Sequence, residues 1–369
     1  MSRPPGSNDE PGPLNGCMEP SPPPPPPAPS PEEVCLEQGF VPVPVAPPPP
    51  RPPSASRLVL IPLCRKGDRA GIENAIVNGG ASVEEVDIEG NTPLHVAVEA
   101  PRNEIATVSC LLEHMANPNS VNYIGAAPLH YVCLRKNNWR GIANLLLENG
   151  ANIDCQTLAG KSALHFAAEN QLPELVEVLC LFGADPNLMD VQANAAVHLA
   201  LAKVGRDTVK RQILEHLMAA SAHLEAPNLR GFAPMHLACS TGSIRCVQLL
   251  MEAGMELCVA TSRGETGLHL ACASGQGEVA QLFIQAAPQI LDMQDADGNT
   301  PLHAAALEGH LECALILLRN GAEVDVKNNQ SLTAYEVSRS KGHDLASTHN
   351  PELMQVLKEA QKERGCRQS

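Results

Sequence analysis

Seven times along this chain a short phrase ending in a hydrophobic residue, a histidine and one or two small or apolar residues returns at nearly constant interval. That return restricts the fold more than any other feature. Anchored on the histidine, the copies read GNTPLHVA (His95), GAAPLHYV (His130), GKSALHFA (His165), ANAAVHLA (His198), GFAPMHLA (His236), GETGLHLA (His269) and GNTPLHAA (His303). Their spacings are 35, 35, 33, 38, 33 and 34 residues. A catalytic motif is normally written once. A phrase repeated at this period marks a stacked architecture, in which each unit is one supersecondary element leaning on its neighbours.

Each position has a physical reason. Gly90, Gly125, Gly160, Gly231, Gly264 and Gly298 fall five residues before the anchor, where a tight turn needs φ > 0. Ala193 holds that place in the fourth copy and predicts a distorted turn there. Thr92 and Thr300 stand where a helix N-cap belongs, and the prolines after them suit the first helical position. Leu94, Leu129, Leu164, Val197, Met235, Leu268 and Leu302, just before the anchors, should point into the stack. Ala97, Ala167, Ala200, Ala238, Ala271 and Ala305, two after, permit close helix approach. Two apolar helical patterns follow each anchor, as in CVQLLMEAG at 246–254 and ECALILLRNGA at 312–322.

Seven TPLH-type phrases in phase, with helix endings of the form LLxxGA, resemble the ankyrin-repeat family. The resemblance implies an all-α fold: an ankyrin-repeat solenoid of stacked helix-turn-helix units with β-turn or hairpin tips. It spans 57–345, with an N-terminal cap at 57–87, seven repeats over about 88–327 and a C-terminal cap at 328–345, where Glu336 keeps the phase in place of histidine. A helical tail, 346–369, either closes the stack or projects from it. The resemblance also implies that the histidine rings hydrogen-bond within and between neighbouring repeats. Asn119 in MANPNS and Asn187 in GADPNL resemble hairpin asparagines that are hydroxylated in some members.

Catalysis and metal binding find little footing. Packed helices sit about 8–10 Å apart, whereas zinc needs ligand atoms at about 2 Å. Histidines at one place in successive layers therefore cannot share an ion. SGQGEVA at 274–280 contains GxGxxA but follows a helical pattern, not the strand that dinucleotide binding requires. No P-loop, GxSxG or HExxH phrase is present. The expectation is a chain that is no enzyme and holds neither metal nor cofactor.

Residues 1–56 are different in kind. They hold 21 of the 33 prolines, which block helix and sheet alike. The reading is a disordered proline-rich arm with polyproline II stretches. It is either a spacer or a ligand for an SH3, WW or EVH1-type domain, with PPPPRPP best suited to a proline/arginine-preferring WW domain. A net charge of −15 disfavours nucleic acid and anionic membrane surfaces. LVLIPLC at 58–64 is too short to span a bilayer, and no signal peptide is visible. Thirteen cysteines without a CxxC pair, among them Cys110, Cys180, Cys246 and Cys313 in apolar helical patterns, read as small buried hydrophobes in a reducing compartment. That predicts a cytoplasmic protein, with the nucleus open as a second location.

Recognition then falls to residues that vary between repeats. Tyr123, Ile124, Leu158, Val191 and Leu229 form an apolar series at the turn tips, where polar residues would be expected. Val96, Tyr131, Phe166 and Leu199 follow on the adjacent helix face. Sideways packing between tips is the competing reading. Trp139, in an irregular interhelix segment, is either a hot-spot anchor or a cap over the helices beneath. Lys203, Arg206, Lys210 and Arg211 form a small basic patch or simply a solvated loop. The leading functional expectation is a non-enzymatic scaffold or adaptor holding a protein partner on the repeats. One alternative is an inhibitor of a Rel-type transcription factor resembling the IκB class. The arm lacks a DSGxxS phosphodegron, and the first lysine is Lys66. A third reading is a regulatory subunit of an enzyme complex.

Overall fold

The structure is a computed structural model that describes residues 58–100, 104–135, 138–341 and 351–368. The arm at 1–56 and its docking motifs lie outside these. Among the described residues there are eighteen α-helices, one 3-10 turn at Pro288–Ile290, and a single isolated bridge between Ala260 and Thr266.

The helices come in pairs. The first pair is α1 (Leu60–Lys66) and α2 (Arg69–Val77). The seven histidine-bearing repeats follow: α3 (Pro93–Glu99) with α4 (Glu104–Glu113), α5 (Pro128–Val132) with α6 (Trp139–Glu148), and α7 (Ala163–Glu169) with α8 (Pro173–Leu181). Next come α9 (Ala196–Ala202) with α10 (Asp207–Ala219), α11 (Pro234–Ser240) with α12 (Ile244–Glu252), α13 (Gly267–Ala273) with α14 (Gly277–Ala286), and α15 (Pro301–Glu308) with α16 (Leu311–Arg319). The last pair is α17 (Ala334–Lys341) and α18 (Pro351–Gln368). Odd-numbered inner helices touch the next odd-numbered helix, and outer helices touch the next outer helix, from one end to the other. The helix at 351–368 packs on α16 and α17 and buries Leu353 and Leu357. It is therefore the outer helix of the last pair, and a division at 345 cuts through that pair.

A helix of seven residues is too short to stand alone in water, so packing must hold it. The hydrophobic residue before each anchor is buried in all seven repeats, from Leu94 to Leu302. Cys110, Cys246 and Cys313 lie in the same continuous core, while Cys180 is half-buried at its margin. The first helix is closed from a distance: the Glu85 carboxylate accepts the backbone N–H groups of Val59, Leu60 and Ile61 at 3.1, 2.7 and 2.8 Å.

Ala193 corrects one expectation. Its turn is not distorted. Ala193 takes the left-handed conformation of the glycines, φ 56°, and the turn keeps its bonds from Ala193 N to Asp190 O (2.8 Å) and from Asp190 N to Asn194 O (2.9 Å). The hydrogen bonds outweigh the side-chain penalty of roughly 1–2 kcal/mol in that region. Ala193→Gly should therefore raise stability by up to about 1 kcal/mol, the relieved strain less the entropy of a freer unfolded chain. Urea denaturation checks this, and a lower midpoint for the variant would contradict it.

Candidate functional site

Each anchor histidine joins two repeats. The backbone N–H of the residue three before it donates to Nδ1: Thr92 to His95 at 3.1 Å, Ala127 to His130 at 3.0 Å, Ser162 to His165 at 3.1 Å, and likewise at His198, His236, His269 and His303. An N–H can only donate, so Nδ1 accepts and the ring proton sits on Nε2. Nε2–H then donates to a carbonyl of the following repeat. The acceptors are Ala126 for His95, Cys155 for His130, Asn194 for His165, Ala226 for His198, Val259 for His236, Asn299 for His269 and Leu332 for His303, at 2.9–3.1 Å. Both ring nitrogens are thus engaged. Among the described residues, no three His, Cys, Asp or Glu side chains gather as metal ligands.

Burial disfavours the charged ring at all seven positions and pushes His95 down to about 4. Below the ordinary value of 6.5 the unfolded chain takes up protons that the folded chain refuses. Stability should be full above about pH 6.5 and fall as pH drops towards the folded values, by about 1.4 kcal/mol per pH unit for each imidazole.

The tips form a second chain of contacts. Backbone N–H groups donate to the preceding tip from Tyr123 to Glu89, Leu158 to Ile124, Val191 to Ala159, Leu229 to Gln192, Ala296 to Arg263 and Asn329 to Asp297, at 2.9–3.1 Å. At Ser262 the hydroxyl supplies this bond instead, to Arg230 O at 3.1 Å. Each turn is braced by the residue eight before the anchor. The side-chain oxygen of Asp87, Asn122, Asp190, Asn228 and Asp295 accepts two backbone N–H groups of its own turn. Sequence reasoning missed these braces, although Asp, Asn or Thr stands at that phase in every repeat.

On this frame the apolar tips diverge. Ile88 is 92% exposed, and Ile124, Leu158, Val191 and Leu229 are also exposed. Tyr123 is different: it lies back over the preceding tip, where a Cβ on Gly90 would meet its ring at 2.8 Å. Its hydroxyl is buried without a hydrogen-bond partner. Tyr131 and Phe166 are half-buried, each edge-on to the preceding anchor ring, His95 at 5.6 Å and His130 at 5.7 Å. Leu199 is half-buried and Val96 is buried.

The other candidates separate. Trp139 opens α6, half-buried against the core, with the Arg140 guanidinium 5.5 Å from its ring centre. Asn119 ties its hairpin to the next, donating to Gly150 O at 2.9 Å and accepting from Asn152 N at 2.6 Å. Asn187 does the same with Ser221 O and His223 N. Lys210 does not belong to a solvated patch. It is 1% exposed on the inner side of α10, and its ammonium donates to Leu201 O, Thr241 Oγ1 and Ser243 Oγ at 3.2, 3.0 and 2.9 Å. Arg211 is half-exposed and paired with Glu215 at 2.8 Å.

The family described as ankyrin repeats (3 copies) matches the chain in five overlapping segments: residues 60–157, 129–216, 164–261, 198–292 and 235–328. This chain belongs to the ankyrin-repeat family. It is similar to the nuclear factor NF-kappa-B p105 subunit of Gallus gallus, 32% identical over 160 residues, 43% of this chain and 16% of that protein. It is similar also to the human B-cell lymphoma 3 protein, 29% identical over 170 residues, 46% of this chain and 37% of that protein. The chain matches well under half the length of either relative. The crystal structure of the Bcl-3 ankyrin repeat domain, 24% identical, aligns with 73% of this chain and 99% of its own at a TM-score of 0.48.

Two outcomes follow from the ankyrin frame. His165→Ala strands the Ser162 N–H and the Asn194 carbonyl, and should cost about 2–4 kcal/mol while flattening the loss of stability below about pH 6.5. Thermal melts across that range check both effects; an unchanged pH slope would count against a neutral bridging ring. Tyr123→Phe removes only an unpartnered hydroxyl and should leave the melting temperature unchanged or raise it.

Proposed function

We propose that this chain is a non-enzymatic adaptor whose ankyrin stack holds one protein partner against the tips from Ile88 to Leu229 and the half-buried Tyr131 and Phe166 beside them. One observation carries the reading. Four of five successive tips, at Ile88, Leu158, Val191 and Leu229, present an exposed apolar side chain at one register position, and Ile124 adds a fifth beside it. Beyond Leu229 that position holds Ser262, Ala296 and Asn329. Exposed apolar surface gathered in one place is what a partner covers, and a few such anchors supply most of the binding energy.

The class of partner we infer is a Rel-type transcription factor. Similarity to the NF-kappa-B p105 subunit and to the B-cell lymphoma 3 protein supports this. Such a partner implies work in both cytoplasm and nucleus. The proline-rich arm would supply a second docking segment for an SH3, WW or EVH1-type domain.

Calorimetry of the full chain with a purified Rel-homology domain tests the reading. Ile124→Ser, Leu158→Ser and Val191→Ser combined should weaken binding by about a hundredfold or more, at roughly 1 kcal/mol per anchor. These side chains are exposed, so circular dichroism and the melting temperature should not change. Undiminished binding would reject the tip surface. Absence of binding to any Rel-homology domain would reject the partner class.

A further inference from the structure

The 38-residue interval between His198 and His236 is taken up mostly by α10, which runs to 13 residues where α8 and α12 have 9, and before it the segment Lys203–Arg206 forms an exposed loop after α9. The loop lies at the far end of the inner helix from the tips, a separation of about 10 Å along seven helical residues. Val204 in it is 91% exposed, the most exposed large hydrophobic residue after Ile88 among the described residues. Lys203 and Arg206 flank it, both exposed.

The base of the loop is firm. Leu201, where it leaves α9, and Lys210, where it has joined α10, are linked through the Lys210 ammonium. Thr241 Oγ1 donates to Leu201 O at 3.2 Å, which fastens the same base to the next repeat. Below the loop therefore lies a buried ammonium whose hydrogen-bond acceptors, a carbonyl and two hydroxyls, are all uncharged. Asp207, in the same helix three residues before Lys210, is turned to another task. It accepts the Arg245 backbone N–H at 2.9 Å and the Cys246 thiol at 3.7 Å, capping the first turn of α12. That bond also places Arg245, exposed, beside the start of α10. Lys203 and Arg206 precede α10, Arg245 stands in the first turn of α12, and the Asp207 bond ties the two helix starts together; helix N-termini add positive potential of their own.

We propose that this loop is a second docking point, for a partner segment in which carboxylates flank an apolar side chain. Val204 offers the apolar contact, and Lys203, Arg206 and Arg245 offer cations to the carboxylates. Phosphate chains are the other polyanions with suitable charge, but a chain of net charge −15 repels a long polyanion while accepting a short acidic segment at a local positive point. The surface is separate from the tips, and its standing does not depend on the Rel-type reading.

Fluorescence anisotropy of the full chain tests this with three labelled probes: a short peptide of alternating glutamate and leucine, the same peptide with serine for leucine, and a short DNA duplex. The glutamate–leucine peptide should bind, more weakly as salt rises. Lys203→Glu with Arg206→Glu should weaken it about tenfold or more, and Val204→Ser should remove its advantage over the serine peptide. All three side chains are exposed, and an unchanged melting temperature confirms an intact stack. No binding of the glutamate–leucine peptide to the natural chain, equal binding to the charge-reversed variant, or tighter binding of the duplex would each overturn the proposal.

Discussion

The stack depends on one side chain doing opposite things at its two ends. A neutral imidazole accepts at Nδ1 and donates at Nε2, so a single residue can cap the turn of its own repeat and hold a carbonyl of the next. The terminal repeat shows the logic by exception. Glu336 stands in the histidine's place and accepts Thr333 N–H at 2.8 Å, and the hydrogen bonds from Thr333 hold its carboxyl below the usual range. A carboxylate is acceptor only, which suffices where no further histidine-type repeat needs a donor. At the opposite end Glu85 performs a related service, closing the first helix with a carboxylate alone. Between these two acceptors every internal junction carries a ring that both gives and receives.

The inner helices are fastened differently at their other ends. There the last carbonyls are met by whatever donor the neighbourhood offers: Asn170 to Cys133 O, Gln171 to Ala200 O, Thr241 and Lys210 to Leu201 O, His310 to Ala273 O, and Arg135 to Val98 and Ala100. No single residue type is demanded, so neither is a fixed segment length. This is why the segment before Trp139 can lengthen, and α10 can gain a turn, while the tips stay in register. One end of each unit is governed by a strict exchange of hydrogen bonds, and the other is free to carry protrusions.

These two regimes decide what the sequence discloses. Repeat number, helix order and the buried role of the anchors are written in the histidine phase, because the requirement is local and recurs. The Asp and Asn braces at the tips were equally periodic and could have been found by the same phase. Ala193 defies its residue preference because the hydrogen bonds that surround the turn are not visible in a single position. Lys210 departs from the solvated habit of lysine because only the fold brings Thr241 and Ser243, more than thirty residues on, to its ammonium. The tail could not be assigned as an outer helix, since its partner surface on α16 and α17 exists only after stacking. Tyr123 looks in sequence like the other apolar tips and is separated from them only by its contact with Gly90.

That separation bears on what the remaining tip side chains are for. If apolar residues were needed to hold one tip to the next, the contact should loosen where they stop. At Ser262, the first tip beyond Leu229, the side-chain hydroxyl makes the bond to the preceding tip at 3.1 Å, and Ala296 and Asn329 beyond it make the same backbone bond at 2.9 and 3.0 Å that Leu158 and Leu229 make at 3.0 Å. Apart from Ser262 the main chain joins the tips whatever side chain stands there, and Tyr123 is the apolar tip residue whose ring lies back over the glycine of the preceding turn. Ile88, Ile124, Leu158, Val191 and Leu229 thus remain in water without a structural debt to the stack, and water is a poor environment for that much hydrocarbon. A surface that the fold neither requires nor shelters is what the proposed partner site calls for.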